Sequence, residues 1–148
     1  RAVIPTIINQ ALKSNCKEIK IGSVKPTRDF LFIEDNINAY LSLINKQKVK
    51  GEIYNVGTGV EISIKELIGK VLKILNKKNI KIINQSIRNR PRTSEVMRLV
   101  CNSTKIKKIS KWRSSINSKK DFDKYLSRTI EWYKKNNYKF DNKKNFYV

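Results

Sequence analysis

The chain has 148 residues, of which 39% are hydrophobic and 30% are charged, and this composition fits one soluble globular domain with its own core. Lysine and arginine number 33 against 12 carboxylates, giving a net charge of +21 that favours polyanionic partners. The lack of histidine excludes Ser-His and Cys-His nucleophile pairs and histidine metal sites, and no apolar run has the length of a membrane helix.

The positive charge leaves a nucleic-acid-binding module open as a hypothesis. Against a specific site of that kind, the lysines are spread over the whole chain, and no recognition motif with interleaved aromatic residues occurs. Nonspecific binding to polyanions is expected from the charge alone. Cys16 and Cys101 lie far apart in the sequence, which predicts reduced thiols, a cytoplasmic location and no metal site.

The first part of the chain predicts a helix followed by a short strand. Pro5 suits a first helical turn, and the helix is expected to end near Ser14. Residues 18–22 alternate, with Lys20 on one face and Ile21 on the other, which is typical of a strand. The predicted buried face of the helix consists of Ile4, Ile7, Ile8, Ala11 and Leu12.

A charged pair, Arg28 and Asp29, leads into an apolar run that predicts a buried strand over residues 30–33. Asp35 is the expected N-cap of the helix that follows, worth about 1 kcal/mol. Arg28 lies where a loop meets the strand, so its guanidinium either grips a phosphate or pairs with Asp29 or a backbone carbonyl. Residues with helical spacing in this helix are Ile37, Tyr40, Leu41 and Ile44.

Residues 51–59 predict a strand that runs into a glycine-rich turn. This turn matches neither the P-loop nor the full dinucleotide fingerprint, so glycines that permit a sharp turn are favoured over a phosphate cradle. Ser63 and Glu66 have the spacing of a capping box and open another helix. The apolar stripe of that helix continues to Leu75 and predicts a core face.

The remainder of the chain predicts shorter elements and a final helix. Residues 79–83 indicate a strand, residues 86–94 a basic loop, and residues 95–100 a short strand or a loop edge. Asn102 is the expected cap of a short helix, and Trp112 is expected against the core. A second cap, Ser118 with Asp121, opens a helix whose predicted buried face is Phe122, Tyr125, Leu126, Thr129, Ile130 and Tyr133.

Several motifs become recognisable in their order and spacing. They are Arg28-Asp29-Phe30 with Asp35 five residues later, Tyr54-Asn55-Val56-Gly57-Thr58-Gly59 before Ser63-Ile64-Lys65-Glu66-Leu67, Arg90-Pro91 before Ser94-Glu95-Val96, and Thr129-Ile130-Glu131-Trp132-Tyr133. Together they resemble the C-terminal half of the extended short-chain dehydrogenase/reductases. Within that family the chain looks most like NAD-dependent nucleotide-sugar epimerases and 4,6-dehydratases that act on UDP-N-acetylglucosamine or GDP-mannose.

The resemblance implies an α/β fold: the substrate-binding portion of an extended Rossmann-type enzyme over residues 1–136, with small mixed sheets and packed helices, followed by a polar tail at 137–148. The family's glycine-rich cofactor turn and its catalytic Tyr-x-x-x-Lys do not occur in the sequence. We therefore expect a fragment, with NAD(P) bound by a missing N-terminal half and not by this chain. The strand at residues 53–56 would belong to the missing Rossmann sheet. Lys111 stands where relatives usually carry Gly, a change expected to affect only a turn.

The same resemblance implies a set of ligand contacts. Arg28 and Arg90 match the positions that hold the diphosphate of a nucleotide sugar. Lys20 and Ile21 match positions that line the base. The remaining two implied roles are less direct: Glu95 orients the second arginine or the ribose, and Asn55 either contacts ligand or is structural. No catalytic, cofactor-binding or metal-binding residue is expected in this chain.

The implied function is to hold the diphosphate so that C4 of the sugar faces the nicotinamide of a complete enzyme, with no activity in the fragment alone. Expected partners are a UDP- or GDP-sugar and the missing N-terminal half, in a family that forms homodimers or tetramers. No membrane partner and no specific nucleic acid is expected. Two alternatives stay open: the basic nucleic-acid-binding module and a stand-alone nucleotide-sugar-binding domain.

Overall fold

A computed structural model describes residues 2–44, 46, 49, 51–88 and 94–136. The chain divides into two compact units, each made of separate stretches of sequence. The first unit comprises Arg1–Lys25, Ser63–Glu95 and Leu126–Val148, and the second comprises Pro26–Ile62 and Val96–Tyr125. The polar tail predicted at 137–148 and the predicted site residue Arg90 lie outside the described residues.

The first unit packs two helices beside a small parallel sheet. Helix α1 (Val3–Ala11) contacts helix α3 (Ile64–Ile74), and strand β1 (Glu18–Ile21) pairs in parallel with strand β4 (Lys81–Asn84). The capping box is confirmed, because the Ser63 and Glu66 side chains each bond the backbone N–H of the other residue. Hydrophobic residues less than 2% exposed in this unit are Ile7, Ile8, Ala11, Ile19, Leu67, Ile68, Val71 and Ile130.

The second unit is built around strand β2 (Thr27–Asp29), which lies between β3 (Glu61–Ser63) and β5 (Arg98–Leu99). Its core contains helix α2 (Ile33–Ile44), helix α4 (Thr104–Ser110) and Trp112, whose indole N–H donates to the Asp35 carbonyl at 3.0 Å. The last helix, α5 (Lys119–Lys135), runs through the ranges of both units. Its predicted buried face includes the buried residues Phe122, Leu126 and Ile130.

The strand predicted at residues 30–33 is wrong, because the strand lies earlier, at Thr27–Asp29, and α2 already begins at Ile33. The apolar run packs through its rings instead: Phe30 lies 5.8 Å from Phe122 and Phe32 lies 4.9 Å from Tyr125, measured between ring centroids. Phe30 and Phe32 are half-buried and Ile33 is 60% exposed, so the run is neither a strand nor fully buried.

Asp35 is not the N-cap of α2, because it lies inside the first turn of the helix and is only 3% exposed. Its carboxylate accepts hydrogen bonds from the Ser114 hydroxyl at 2.9 Å, the Ser115 N–H at 2.8 Å and the Ser115 hydroxyl at 2.7 Å. The Asp35 carboxylate therefore bonds to a loop that is distant in sequence, whereas the sequence pattern predicted that it would bond to the first N–H groups of its own helix. These contacts satisfy a buried charge that would otherwise be costly.

Most other predicted elements are found with shifted ends. Helix α1 ends at Ala11, earlier than expected, and β4 occupies Lys81–Asn84 where residues 79–83 were predicted. Trp112 is 5% exposed, as expected for a core residue. Residues 53–56 form no paired strand within the described chain, so their place in a larger sheet stays a prediction.

Lys111 ends α4 in the left-handed region, at φ 58°. This conformation costs a residue with a Cβ about 1–2 kcal/mol, and glycine only its extra chain entropy. We expect Lys111→Gly to raise the free energy of unfolding by about 0.5–1 kcal/mol in urea denaturation. Lys111→Ala is the control and should leave stability nearly unchanged; a glycine variant no more stable than the alanine variant would contradict the argument.

Candidate functional site

The Asp29 carboxylate joins three parts of the second unit. Its Oδ1 accepts hydrogen bonds from the Thr58 N–H at 2.9 Å and the Thr58 hydroxyl at 2.6 Å. Its Oδ2 accepts from the Gly59 N–H at 2.8 Å and the Cys101 N–H at 3.1 Å. These charge-assisted bonds fix β2 against the glycine-rich turn and against the segment after β5.

The glycine-rich turn is shaped by close packing. A Cβ on Gly57 would lie 2.2 Å from the Cβ of Cys101, and Gly59 adopts φ 79°, a left-handed value. Because the N–H groups of Thr58 and Gly59 donate to Asp29, they do not form an anion cradle. The turn therefore does not fit the diphosphate of a dinucleotide cofactor, and the structural role favoured by the sequence agrees with the geometry.

Arg28 lies on β2 beside Asp29, and its side chain is anchored to backbone. Its Nη1 donates to the Thr27 carbonyl and to the Val96 carbonyl, both at 2.7 Å. Successive strand residues point to opposite faces, so Arg28 and the Asp29 network occupy different sides of β2. The carbonyl contacts agree with the structural alternative for Arg28, and they also hold the guanidinium plane in one orientation.

A second carboxylate, Glu61 on β3, bonds to side chains of both β2 and β5. It accepts a hydrogen bond from the Thr27 hydroxyl at 2.6 Å and pairs with Arg98 Nε of β5 at 3.0 Å. The Thr27 hydrogen bond, with help from Arg98 and Lys119, holds the pKa of Glu61 below its ordinary value of 4.5. This group links all three strands of the small sheet next to Arg28.

The other predicted contact residues are distributed between the two units. In the first unit, Lys20 pairs with Glu18 at 2.7 Å, Ile21 is 7% exposed on β1, and Glu95 is half-buried. In the second unit, Asn55 is exposed in an extended stretch. The ligand roles of Lys20, Ile21, Glu95 and Asn55 stay predictions, as do those of Arg28 and of Arg90.

Sequence reasoning missed the roles of Asp29, Asp35 and Glu61. Their bonding partners lie 29 to 80 positions away in the sequence, so no local pattern marks them. Among the described residues, no group of three or more His, Cys, Asp or Glu side chains is placed to hold a metal ion. Of the helices in the described ranges, none has both the length and the apolar character needed to cross a membrane.

Comparison with known proteins places these elements in one family. The profile of the GDP-mannose 4,6 dehydratase family matches residues 1–125. The chain belongs to this family of nucleotide-sugar dehydratases and epimerases. The resemblance found in the sequence motifs and the predicted α/β fold are thereby confirmed.

Each alignment with a relative covers almost the whole of this chain but only part of the relative. The chain is 34% identical to the human dTDP-D-glucose 4,6-dehydratase over 97% of this chain and 39% of that protein. It is 33% identical to a putative UDP-glucose 4-epimerase of Methanocaldococcus jannaschii over 91% of this chain and 40% of that protein. The chain thus spans about two-fifths of the length of these relatives.

A solved structure of a family member also matches almost all of this chain with only part of its own length. The dTDP-glucose 4,6-dehydratase from Bacillus anthracis, determined in complex with NAD, superposes with a TM-score of 0.73 at 26% identity. The superposition covers 91% of this chain and 40% of the bacterial enzyme. NAD is therefore a cofactor within the family, and the chain corresponds to a minor part of a family member.

Asp29→Asn tests the carboxylate network. Each Asp29 oxygen accepts two hydrogen bonds, so an amide NH₂ at either position opposes donors and leaves them unsatisfied. We expect a loss of about 2–4 kcal/mol in the free energy of unfolding, measured by urea denaturation with tryptophan fluorescence. Glu131→Gln, an exposed change on α5, is the control. Equal stability of the two variants would refute the network.

Glu61→Gln tests how the free energy of unfolding depends on pH. The folded chain binds fewer protons at Glu61 than the unfolded chain, because the folded-state pKa is lowered from 4.5. The carboxylate therefore stabilises the fold above about pH 4.5, and this contribution is lost as the pH falls through the lowered pKa.

The expected result is a smaller loss of unfolding free energy for Glu61→Gln than for wild type between about pH 6 and pH 3. Some acid sensitivity remains, since the pKa values of Glu52 and Asp121 are also lowered. Glu131→Gln is again the control for the loss of one surface carboxylate. Parallel curves for wild type and Glu61→Gln would contradict the assignment.

Proposed function

We propose that this chain is the nucleotide-sugar-binding part of an NAD-dependent nucleotide-sugar 4,6-dehydratase or epimerase. The observation that carries the proposal is Arg28, a guanidinium on strand β2 that is held by two backbone carbonyls, in a chain of this family. The relatives named above take dTDP- or UDP-linked sugars by their names, and every such substrate contains a diphosphate.

Anchoring improves Arg28 as a diphosphate ligand. A free arginine loses rotamer entropy when it binds a phosphate, whereas one already fixed by carbonyl contacts has lost part of that freedom on folding. Asp29 supports the same strand through four hydrogen bonds, so the backbone beneath Arg28 is fixed as well. Planar guanidinium groups bind phosphate oxygens in pairs, which also sets the orientation of the ligand.

The resemblance implies further ligand roles, and each of them is proposed separately. Arg90 is the second diphosphate ligand, and Lys20 with Ile21 lines the base. Glu95 orients an arginine or the ribose, and Asn55 is a further candidate contact. In a complete enzyme the site would present C4 of the sugar to NAD, which supplies the hydride acceptor.

The contribution of this chain to such a reaction is positioning. Holding a substrate in a reactive orientation can lower a barrier by several kcal/mol. The chemical step itself is not assigned to any residue here, because the sequence contains no Tyr-x-x-x-Lys and its glycine-rich turn is bonded to Asp29. The proposal assigns no activity to this chain by itself.

Arg28→Ala tests the proposal in a chimera: the human dTDP-D-glucose 4,6-dehydratase with its matched segment replaced by this chain. We expect Kd for dTDP-glucose, UDP-glucose or GDP-mannose to rise about 10- to 100-fold, since charge-assisted bonds to phosphate are lost. Isothermal titration calorimetry measures the effect on the chimera and on the isolated chain. Arg28→Lys keeps the charge without the paired geometry and should be intermediate.

Arg113→Ala is the matched control. Its guanidinium Nη1 also donates to two carbonyls, those of Lys107 at 3.0 Å and Trp112 at 2.8 Å, but it has no proposed ligand role. Unchanged sugar binding in Arg28→Ala would overturn the proposal. Binding that falls steeply with salt and does not distinguish nucleotide sugars from nucleic acid would favour the basic nucleic-acid-binding alternative.

A further inference from the structure

Strand β5 depends on side-chain contacts for its place beside β2. It has only two residues, Arg98 and Leu99, which pair in parallel with Thr27 and Arg28. Next to this pair, the Thr27 N–H donates to the Met97 carbonyl at 2.8 Å. Among the strands of the described chain, β5 lies at an edge of the three-stranded sheet. Because so short an edge strand has few ladder hydrogen bonds, other contacts must fix its position.

The Glu61 carboxylate supplies such a contact by reaching across β2. Strands β3 and β5 lie on opposite sides of β2 in the sheet order, so their backbones are about 10 Å apart, twice the ordinary strand spacing. One Glu61 oxygen accepts a hydrogen bond from the Thr27 hydroxyl at 2.6 Å, and the other pairs with Arg98 Nε at 3.0 Å. Thr27 and Arg98 are register partners, so their side chains lie on one face of the sheet. We call Glu61, Thr27 and Arg98 the cross-strand clamp.

Arg28 depends on the cross-strand clamp through one of its two carbonyl acceptors. Its Nη1 donates to the Thr27 carbonyl and to the Val96 carbonyl, both at 2.7 Å. The Thr27 carbonyl belongs to the preceding residue of the same strand and moves with Arg28. The Val96 carbonyl belongs to the segment that enters β5, two residues before Arg98. A shift of β5 relative to β2 would therefore move only one of the two acceptors and turn the guanidinium plane.

The main consequence of the cross-strand clamp is geometric. The Arg98 side chain is 68% exposed and the Glu61 side chain 35% exposed, and an ion pair this exposed contributes only modestly to the free energy of unfolding. It does select one placement of β5 on β2 and, through the Val96 carbonyl, one orientation of Arg28. A planar guanidinium binds phosphate oxygens in pairs only when its plane faces them, so its orientation affects affinity.

We propose that Glu61, acting through Arg98 and Thr27, is a positioning residue that sets the orientation of Arg28 and thereby the affinity of this chain for the diphosphate of a nucleotide sugar. This inference rests on the proposed function, because it takes Arg28 as a ligand of the diphosphate. Glu61 itself makes no contact with the ligand in this proposal, since two negative groups repel one another.

Glu61→Gln tests the proposal in the chimera and in the isolated full chain, by isothermal titration calorimetry with dTDP-glucose, UDP-glucose and GDP-mannose. We expect Kd to rise about 3- to 10-fold, less than for Arg28→Ala, because the guanidinium stays but loses its fixed orientation. The loss of a negative charge by itself would lower Kd, because a group that repels the diphosphate is removed. The direction of the change therefore separates positioning from simple electrostatics.

Thr27→Val is a second variant that keeps the test available if Glu61→Gln does not fold. It removes the hydroxyl contact of the cross-strand clamp without a change of charge and keeps a β-branched side chain in the strand. Its Kd should also rise. Urea denaturation of each variant checks that the chain is folded at the temperature of the titration.

The double variant Glu61→Gln with Arg28→Ala tests whether Glu61 acts through Arg28. In a chain that already lacks the guanidinium, Glu61→Gln should no longer raise Kd, because no guanidinium remains to be positioned. A general loosening of the fold would instead weaken binding in both backgrounds. Glu52→Gln is the matched control: it also removes a surface ion pair of this unit, with Lys105 at 2.6 Å, but that pair does not join strands of the sheet. Its Kd should equal that of wild type.

The Arg28→Ala arm distinguishes the possible failures. An unchanged or lower Kd in Glu61→Gln, in a chain whose binding Arg28→Ala weakens, would overturn the positioning role and leave the proposed function intact. An equal rise of Kd in both backgrounds would also overturn the positioning role, because Glu61 would then act independently of Arg28. If Arg28→Ala leaves Kd unchanged, the proposed function fails and the positioning role fails with it.

Discussion

The second unit depends on the Asp29 carboxylate for the placement of its backbone. Strands of two and three residues supply few ladder hydrogen bonds, so the small sheet cannot fix its own loops. Asp29 supplies what the ladder lacks, because four donors from Thr58, Gly59 and Cys101 converge on its two oxygens. At the same place Gly57 packs so closely against Cys101 that a Cβ on Gly57 would lie 2.2 Å from the Cβ of Cys101. The proposed ligand Arg28 occupies the neighbouring position on the same strand.

Asp35, at the start of α2, likewise accepts hydrogen bonds from a loop that is distant in sequence. Both carboxylates belong to the stretch from Thr27 to Asp35, and each collects donors from a loop that is distant in sequence. Ion pairs at the surface contribute little to the stability of a fold. A carboxylate that accepts several hydrogen bonds away from solvent instead fixes the position of the segments that donate them. Two acidic residues within seven positions thus organise the glycine-rich turn on one side and the Ser114–Ser115 loop on the other.

Sequence patterns predicted the parts of this fold that depend on local periodicity. The stripe of α3 and its capping box, the alternation of β1 and the buried face of α5 were all found, because each is encoded within a few turns or one strand. The strand expected at residues 30–33 failed because ring packing by Phe30 and Phe32 replaced sheet pairing. The anchors of Arg28 and the partners of Asp29 could not be predicted, since they arise only when distant segments meet.

Helix α2 shows that a local pattern can predict a helix without predicting which face of that helix packs. Its apolar spacing predicts an amphipathic helix, and the helix forms, yet Ile37, Tyr40, Leu41 and Ile44, which have that spacing, are exposed. The face that packs is the one with the small Ala39, which is buried together with Ile106 and Trp112. Because Ile106 and Trp112 come from residues about 70 positions further along the chain, the spacing within α2 alone could not predict that contact.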